Sequence, residues 1–160
     1  ERVIEHIDRG VSEGADLVVD GRGVKVEDTP NGFYVGPTIF DQVTSQMSIA
    51  RDEIFGPVLS VMRTDDLNAA IETCNNSGYG NAAVLFTSNG SAAREFRHSV
   101  SAGMVGINIG VPAPMAFFPF AGWNNSFYGD LHVQGRESIA FFTQQKVTIS
   151  RWAPSQKTIF

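Results

Sequence analysis

Apolar residues near the start of the chain recur at helical spacing. Val3, Ile4, Ile7 and Val11 share one face, and Gly14 stands where a left-handed residue closes a helix. Leu17-Val18-Val19 is a short strand-like run stopped by Gly21-Arg22-Gly23, and Val24 to Gly32 is polar and turn-rich. Phe33-Tyr34-Val35 and Thr38-Ile39-Phe40 read as an extended segment interrupted at Gly36-Pro37. Val58 to Met62 is a candidate buried strand. Asp65 then caps a helix whose apolar positions are Leu67, Ala70, Ile71 and Cys74. A strand at Ala82 to Phe86, a helix opened by Asn89-Gly90-Ser91 and closed by Gly103, and a strand at Met104 to Ile109 follow. This alternation predicts an α/β fold, a three-layer sandwich with a mostly parallel sheet and right-handed crossover helices.

The pattern changes after Val111. Residues 111–125 are rich in Pro, Phe and Gly and carry no clear period. A loop this long and apolar is usually functional or covered by a partner. Gly135 to Phe142 predicts one short helix, and Gln145 to Trp152 alternates like a half-buried strand.

Composition narrows the chemistry. At 160 residues, 42% hydrophobic and 18% charged, the chain can build a real core. Its net charge of −5 and scattered basic residues give no footprint for nucleic acid or anionic lipid. No apolar run approaches the roughly 18 residues of a membrane helix. One cysteine allows no internal disulfide and suits a reducing, cytoplasmic setting. The chain opens on Glu1-Arg2-Val3 with neither initiator Met nor signal-peptide layout, so it is expected to be a piece of a longer protein.

Few residues invite a chemical role. Cys74 lies on an apolar helix face with no cation beside it, so a small buried filler is the expected reading. His6, His98 and His132 share no metal-ligand spacing and read as surface histidines, and no metal site is expected. No Gly-x-Gly-x-x-Gly or Walker pattern follows a strand. Asp65-Asp66 suits a helix N-terminus. Glu53-Ile54-Phe55-Gly56-Pro57 is different, because it fixes a carboxylate and a flat ring at a strand's edge. A carboxylate there can accept two hydrogen bonds from a vicinal diol while the ring walls a planar heterocycle. A solvated Glu beside a packed Phe is the alternative.

Six ordered segments resemble one family. Glu53-x-Phe55-Gly56-Pro57 is similar to the Glu-x-Phe-Gly-Pro signature of the aldehyde dehydrogenases. Gly36-Pro37-Thr38-Ile39, Gly80-Asn81-Ala82 with Val84-x-Phe86-Thr87, Gly103 to Asn108, Pro119-Phe120-Ala121-Gly122, and Phe142-Thr143 with Lys146 match further family segments in order. The resemblance covers essentially the whole chain. Gly106 to Pro114 and Phe117 to Asn124, followed by Phe127-Tyr128-Gly129-Asp130, resemble the CoA-acylating methylmalonate-semialdehyde dehydrogenase branch. Trp123-Asn124-Asn125-Ser126 stands where most members carry Lys-x-Ser-Gly.

The resemblance implies a parent enzyme that oxidises malonate or methylmalonate semialdehyde with NAD and CoA, through a cysteine thioester, to acetyl-CoA or propionyl-CoA and carbon dioxide. It implies that Glu53 binds the nicotinamide ribose, that Phe55 lies by the ring, and that Ile109, Gly110 and Phe117 line the aldehyde pocket. It places the nucleophile, general base and dinucleotide fold upstream, so no catalytic residue is expected here and the isolated chain is expected to be inactive. Residues 1–143 are then the C-terminal part of the catalytic domain, and 144–160 an oligomerisation arm of a homodimer or homotetramer. The implied location is the cytoplasm, or the mitochondrial matrix in a eukaryote. A non-acylating aldehyde dehydrogenase and a non-catalytic α/β dimerisation module are the competing readings.

Overall fold

The first apolar stripe becomes α1 (Arg2–Ser12) in a computed structural model that describes residues 1–152. Its buried face is turned from the expected one, toward His6, Ile7 and Gly10, while Val11 stays 43% exposed. Gly10 is the cause. An added Cβ there would sit 3.0 Å from both Phe40 and Ile49, so the missing side chain lets the helix lie down on the sheet. His6 is therefore buried rather than on the surface, and its Nδ1 has no partner among the described residues. Gly14 closes the helix region at φ 92°, as expected.

Strands β1 (Asp16–Val19), β2 (Thr38–Asp41) and β3 (Val58–Ser60) form one sheet in that order. β1 and β2 are joined without a crossover helix and run antiparallel. β2 and β3 are separated by α2 (Ser48–Arg51) and run parallel. Glu13, just past α1, holds the start of α2 by accepting from the Ser48 backbone N–H at 2.7 Å and its hydroxyl at 3.0 Å. Ile7, Ala15, Phe40, Val43, Ile49 and Ile54 fill the core between these elements. The Val58 strand is shorter than expected and not buried, since Leu59 is 58% exposed.

A second core lies under α3 (Leu67–Asn75) and α4 (Gly90–Ser99), where Ile71, Phe96 and Val100 pack on the parallel pair β5 (Ala82–Leu85) and β6 (Met104–Ile107). Asp66, not Asp65, caps α3, accepting from the Ala69 N–H at 2.8 Å. Asn89 caps α4 as expected. The Asn75 amide ties the two helices together, donating to the Ser99 carbonyl and accepting from the Ser101 N–H. Cys74 is exposed rather than buried, because α3 points Ile71 inward and leaves its last turn at the rim.

The short strands β4 (Tyr79–Gly80) and β7 (Trp123–Asn124) pair antiparallel. The strands thus make three small sheets with two parallel and two antiparallel pairings, in place of one mostly parallel sheet. Helix α5 (Gly135–Phe142) has the expected bounds but no buried residue. Gln145 to Trp152 forms no strand; Val147, Ile149 and Trp152 are 85%, 93% and 90% exposed. A strand needs a neighbour's backbone, and none is paired with this segment among the described residues. The rest of the expected arm, residues 153–160, lies outside the described residues. No helix among the described residues is long and apolar enough to cross a membrane.

Candidate functional site

The Glu53 corner is held from three sides. Behind it, Ile54 is anchored in the first core at 8% exposure. Above it, the Arg2 guanidinium donates to the Ile54 carbonyl at 2.6 Å and to the Glu53 carbonyl at 3.4 Å. Beyond it, the Thr38 N–H donates to the Pro57 carbonyl at 2.8 Å, and Thr38 faces Val58 across the parallel pair β2–β3. The Gly-Pro-Thr and Glu-x-Phe-Gly-Pro segments, distant in sequence, are therefore neighbours in the sheet. Gly21 completes the arrangement. Its N–H donates to the buried Thr38 hydroxyl at 3.1 Å, its carbonyl accepts from Gly36, and a Cβ there would lie 2.0 Å from the Gly36 oxygen.

Between its two anchors Phe55 takes φ 55°, a left-handed conformation that costs an aromatic residue on the order of 1–3 kcal/mol. The ring is 83% exposed and gains no packing in return. The corner thus spends backbone strain to present a carboxylate and a free aromatic face, which is the arrangement of a ligand clamp rather than of a packed turn.

Glu53 borders a cleft of about 370 Å³ with Tyr79, Asn81 and the run Asn125 to Tyr128. Three separated segments converge here. Tyr79 and Gly80 pair with Asn124 and Trp123, the Gly80 N–H donates to the Ser126 hydroxyl at 3.1 Å, and the Asn125 N–H donates to the Gly78 carbonyl at 3.1 Å. Gly103 lets the 121–122 turn come close, since a Cβ there would meet the Ala121 oxygen at 2.4 Å. The lining offers amides, a hydroxyl, two phenols and one carboxylate, and no basic side chain among the described residues. Such a set suits an uncharged polyhydroxylated group next to a ring, and it does not suit a phosphate.

The other expected pocket residues lie elsewhere. Ile109 and Gly110 follow Asn108, whose φ of 56° and two side-chain bonds to the Thr87 backbone end the β6 strand sharply. Ile109 is 50% exposed and Phe117 66%, with Phe117 packed at a tilt on Phe118, 4.7 Å between centroids. None of the three borders the Glu53 cleft. Cys74 borders a different cleft with Tyr79, Asn81 and Val100, and desolvation by the surrounding residues pushes its thiol up, away from a reactive thiolate, although the residue is exposed. Among the described residues, no group of three or more His, Cys, Asp or Glu is gathered to hold a metal.

Sequence reasoning missed His132. It is no surface residue: its side chain is 20% exposed, its ring stacks on Phe127 at 4.1 Å, and its Nδ1 lies 2.9 Å from Glu137. The i, i+5 spacing of His and Glu across a helix start was the available signal. His98 is exposed, as expected.

Comparison with known proteins follows the same lines. The aldehyde dehydrogenase family profile matches residues 1–148. The malonate-semialdehyde dehydrogenase 1 of Oceanobacillus iheyensis is 55% identical over 152 residues, covering 95% of this chain and 31% of that protein. Two solved structures superpose closely. A Sinorhizobium meliloti protein, provisionally described as a methylmalonate-semialdehyde dehydrogenase and complexed with NAD, gives a TM-score of 0.93 at 44% identity, over 98% of this chain and 32% of that one. The methylmalonate-semialdehyde dehydrogenase of Oceanimonas doudoroffii gives 0.92 at 43%, over 96% and 32%. The chain spans about a third of the length of these relatives.

Proposed function

The chain belongs to the aldehyde dehydrogenase family, and on that premise we propose that it forms the nicotinamide-ribose wall of an NAD-dependent, CoA-acylating malonate- or methylmalonate-semialdehyde dehydrogenase. The observation that carries the reading is the clamped corner that sets the Glu53 carboxylate at a cleft with no basic lining residue, with the strained, exposed Phe55 two residues on from it. That lining fits the ribose end of a dinucleotide. The Glu53 carboxylate can accept from both ribose hydroxyls, Asn81 and Asn125 can hydrogen-bond the carboxamide or sugar edge, and Phe55 can close one side of the ring. When bound, NAD supplies the oxidant for the aldehyde. The residues of this chain orient it and shield it from water.

The finer parts of the reading rest on resemblance to the relatives named above. The nucleophilic cysteine belongs to another part of the full-length protein, Ile109, Gly110 and Phe117 line the aldehyde pocket there, and the isolated chain is inactive. Residues 1–143 belong to a three-layer catalytic domain, and residues 144–160 add a strand to a neighbouring subunit in a cytoplasmic homodimer or homotetramer. The exposed alternation of Val147 and Ile149 supports that strand addition.

The test is NADH formation by the full-length protein on malonate semialdehyde, with and without CoA. CoA-dependent turnover giving a thioester supports the acylating assignment, and equal turnover to a free acid without CoA overturns it. Glu53→Gln should raise the KM for NAD about tenfold, as loss of a charge-assisted hydrogen bond does. An unchanged KM removes Glu53 from the cofactor site.

A further inference from the structure

The wall of the Glu53 cleft formed by Phe127 and Tyr128 has a second face. Behind it lies an apolar cavity of about 360 Å³, bordered by the same two residues with Leu131, Val133, Phe141 and Phe142. Phe127 and Tyr128 thus border both spaces, with room to move from the first into the second.

His132 is the residue placed to hold them forward. Its ring stacks on Phe127, 4.1 Å between centroids at 28°. Its backbone N–H donates to Glu137 Oε2 at 2.6 Å, its Nδ1 meets the same oxygen at 2.9 Å, and its Nε2 faces the Gly122 carbonyl at 3.3 Å. Both ring nitrogens thus face acceptors, one on α5 and one at the start of the wall segment. These bonds hold the Glu137 carboxylate below the usual range, the backbone N–H first and the ring N–H second. The chain around the bracket is turned sharply to make it: Gln134 takes φ 71° and Gly135 φ 59°, and the Gly135 N–H is fixed by the Ala116 carbonyl at 3.1 Å.

We propose that His132, fixed by Glu137, is a positioning residue that sets the width of the cofactor cleft by holding Phe127 and Tyr128 away from the cavity behind them. The proposal rests on the reading of the Glu53 cleft as the cofactor site. Neither His132 nor Glu137 borders that cleft, so both act on a ligand there only through the wall.

The experiment uses the full-length protein and two readouts, NADH affinity by fluorescence titration and amide hydrogen exchange over residues 125–133. Glu137→Ala and His132→Ala should each weaken NADH about tenfold, the scale of one lost charge-assisted bond. Both should speed exchange at 125–133 while leaving α3 and α4 protected. Glu137→Gln keeps an acceptor for the His132 N–H and should recover most of the affinity. If both alanine variants bind NADH as the parent does while Glu53→Gln binds it weakly, the bracket does not set the cleft and the proposal is overturned. If Glu53→Gln leaves NADH affinity unchanged, the cofactor reading fails, and exchange alone decides the bracket. Faster exchange at 125–128 in Glu137→Ala then upholds it, and unchanged exchange overturns it.

Discussion

Phe40 in strand β2 and Phe142 at the end of helix α5 meet opposite environments. Phe40 is fully buried among Ile7, Ile49 and the close-lying Gly10, whereas Phe142 at the end of α5 is 83% exposed. The first region finds its partners within the chain: a helix, a three-stranded sheet and a short crossover helix close over one another. The second has a helix with no buried residue, an exposed aromatic pair at Phe141 and Phe142, and a tail of free apolar side chains. Hydrophobic spacing states that a face will be covered, and it does not state by what. In this family member the last third of the described residues carries much exposed apolar surface.

Removing each ring measures the contrast directly. Phe40→Ala should cost about 3–5 kcal/mol in urea unfolding, since the site is enclosed on all sides. Phe142→Ala should stay within about 0.5 kcal/mol in the isolated chain. Equal costs would mean that the last helix is packed in solution and that the contrast is wrong. Gly21→Ala comes next. The added methyl would collide with the Gly36 backbone carbonyl, which cannot rotate away, so a loss of about 1–3 kcal/mol is expected. A neutral result would show that the Gly21–Gly36 contact is looser than it stands here.

The same contrast explains what the sequence could convey. The helices α3 and α4 and the strands β5 and β6 are legible because their apolar residues repeat at the right period and the two helices open on short polar caps. The antiparallel turn of β1 onto β2 was not legible, because it follows from the absence of a crossover helix between segments whose own pattern is neutral on direction. The buried face of α1 was misread by one position because a glycine has no side chain to count. At the site, Glu53 and Phe55 stand out as a carboxylate and a ring beside a Gly-Pro corner, and again through their family motif. Their chemistry comes from the positive φ at Phe55 and the clamp by Arg2, and neither has a signature in residue order. The bracket of His132 and Glu137 is likewise a product of a sharp turn at Gln134 that no period announces.

Two smaller substitutions sharpen the picture of the packed region. Phe55→Gly should stabilise the folded chain by about 1 kcal/mol, since glycine adopts the left-handed backbone freely and little buried area is lost. In the full-length protein the same change should weaken NADH. Stabilisation without weaker binding would mean that the strain serves no ligand. Asp66→Ala should cost about 1 kcal/mol through the lost cap on Ala69, and Asp65→Ala close to nothing. The reverse order would return the cap to Asp65.

The smallest expected effect is electrostatic and lies at the edge of the first sheet. The Arg22 side chain bonds Asp20 and holds its carboxyl down to about 2, below the ordinary 3.8; Arg63 lowers Asp41 in the same direction. A carboxylate depressed in the folded chain contributes stability that is present above its ordinary value and disappears as pH falls through its folded value. The contribution of these two pairs should therefore slip as pH falls from about 4 toward 2. Both pairs face solvent, so the slip should be small and should shrink further in high salt. Asp20→Asn should flatten part of the acid limb and leave in place the part that comes from Glu137 on α5, whose carboxyl His132 lowers. Thermal unfolding of the parent and variant at pH 7, 4 and 2 reads this out, and parallel curves for the two would place the acid sensitivity outside the Asp20–Arg22 pair.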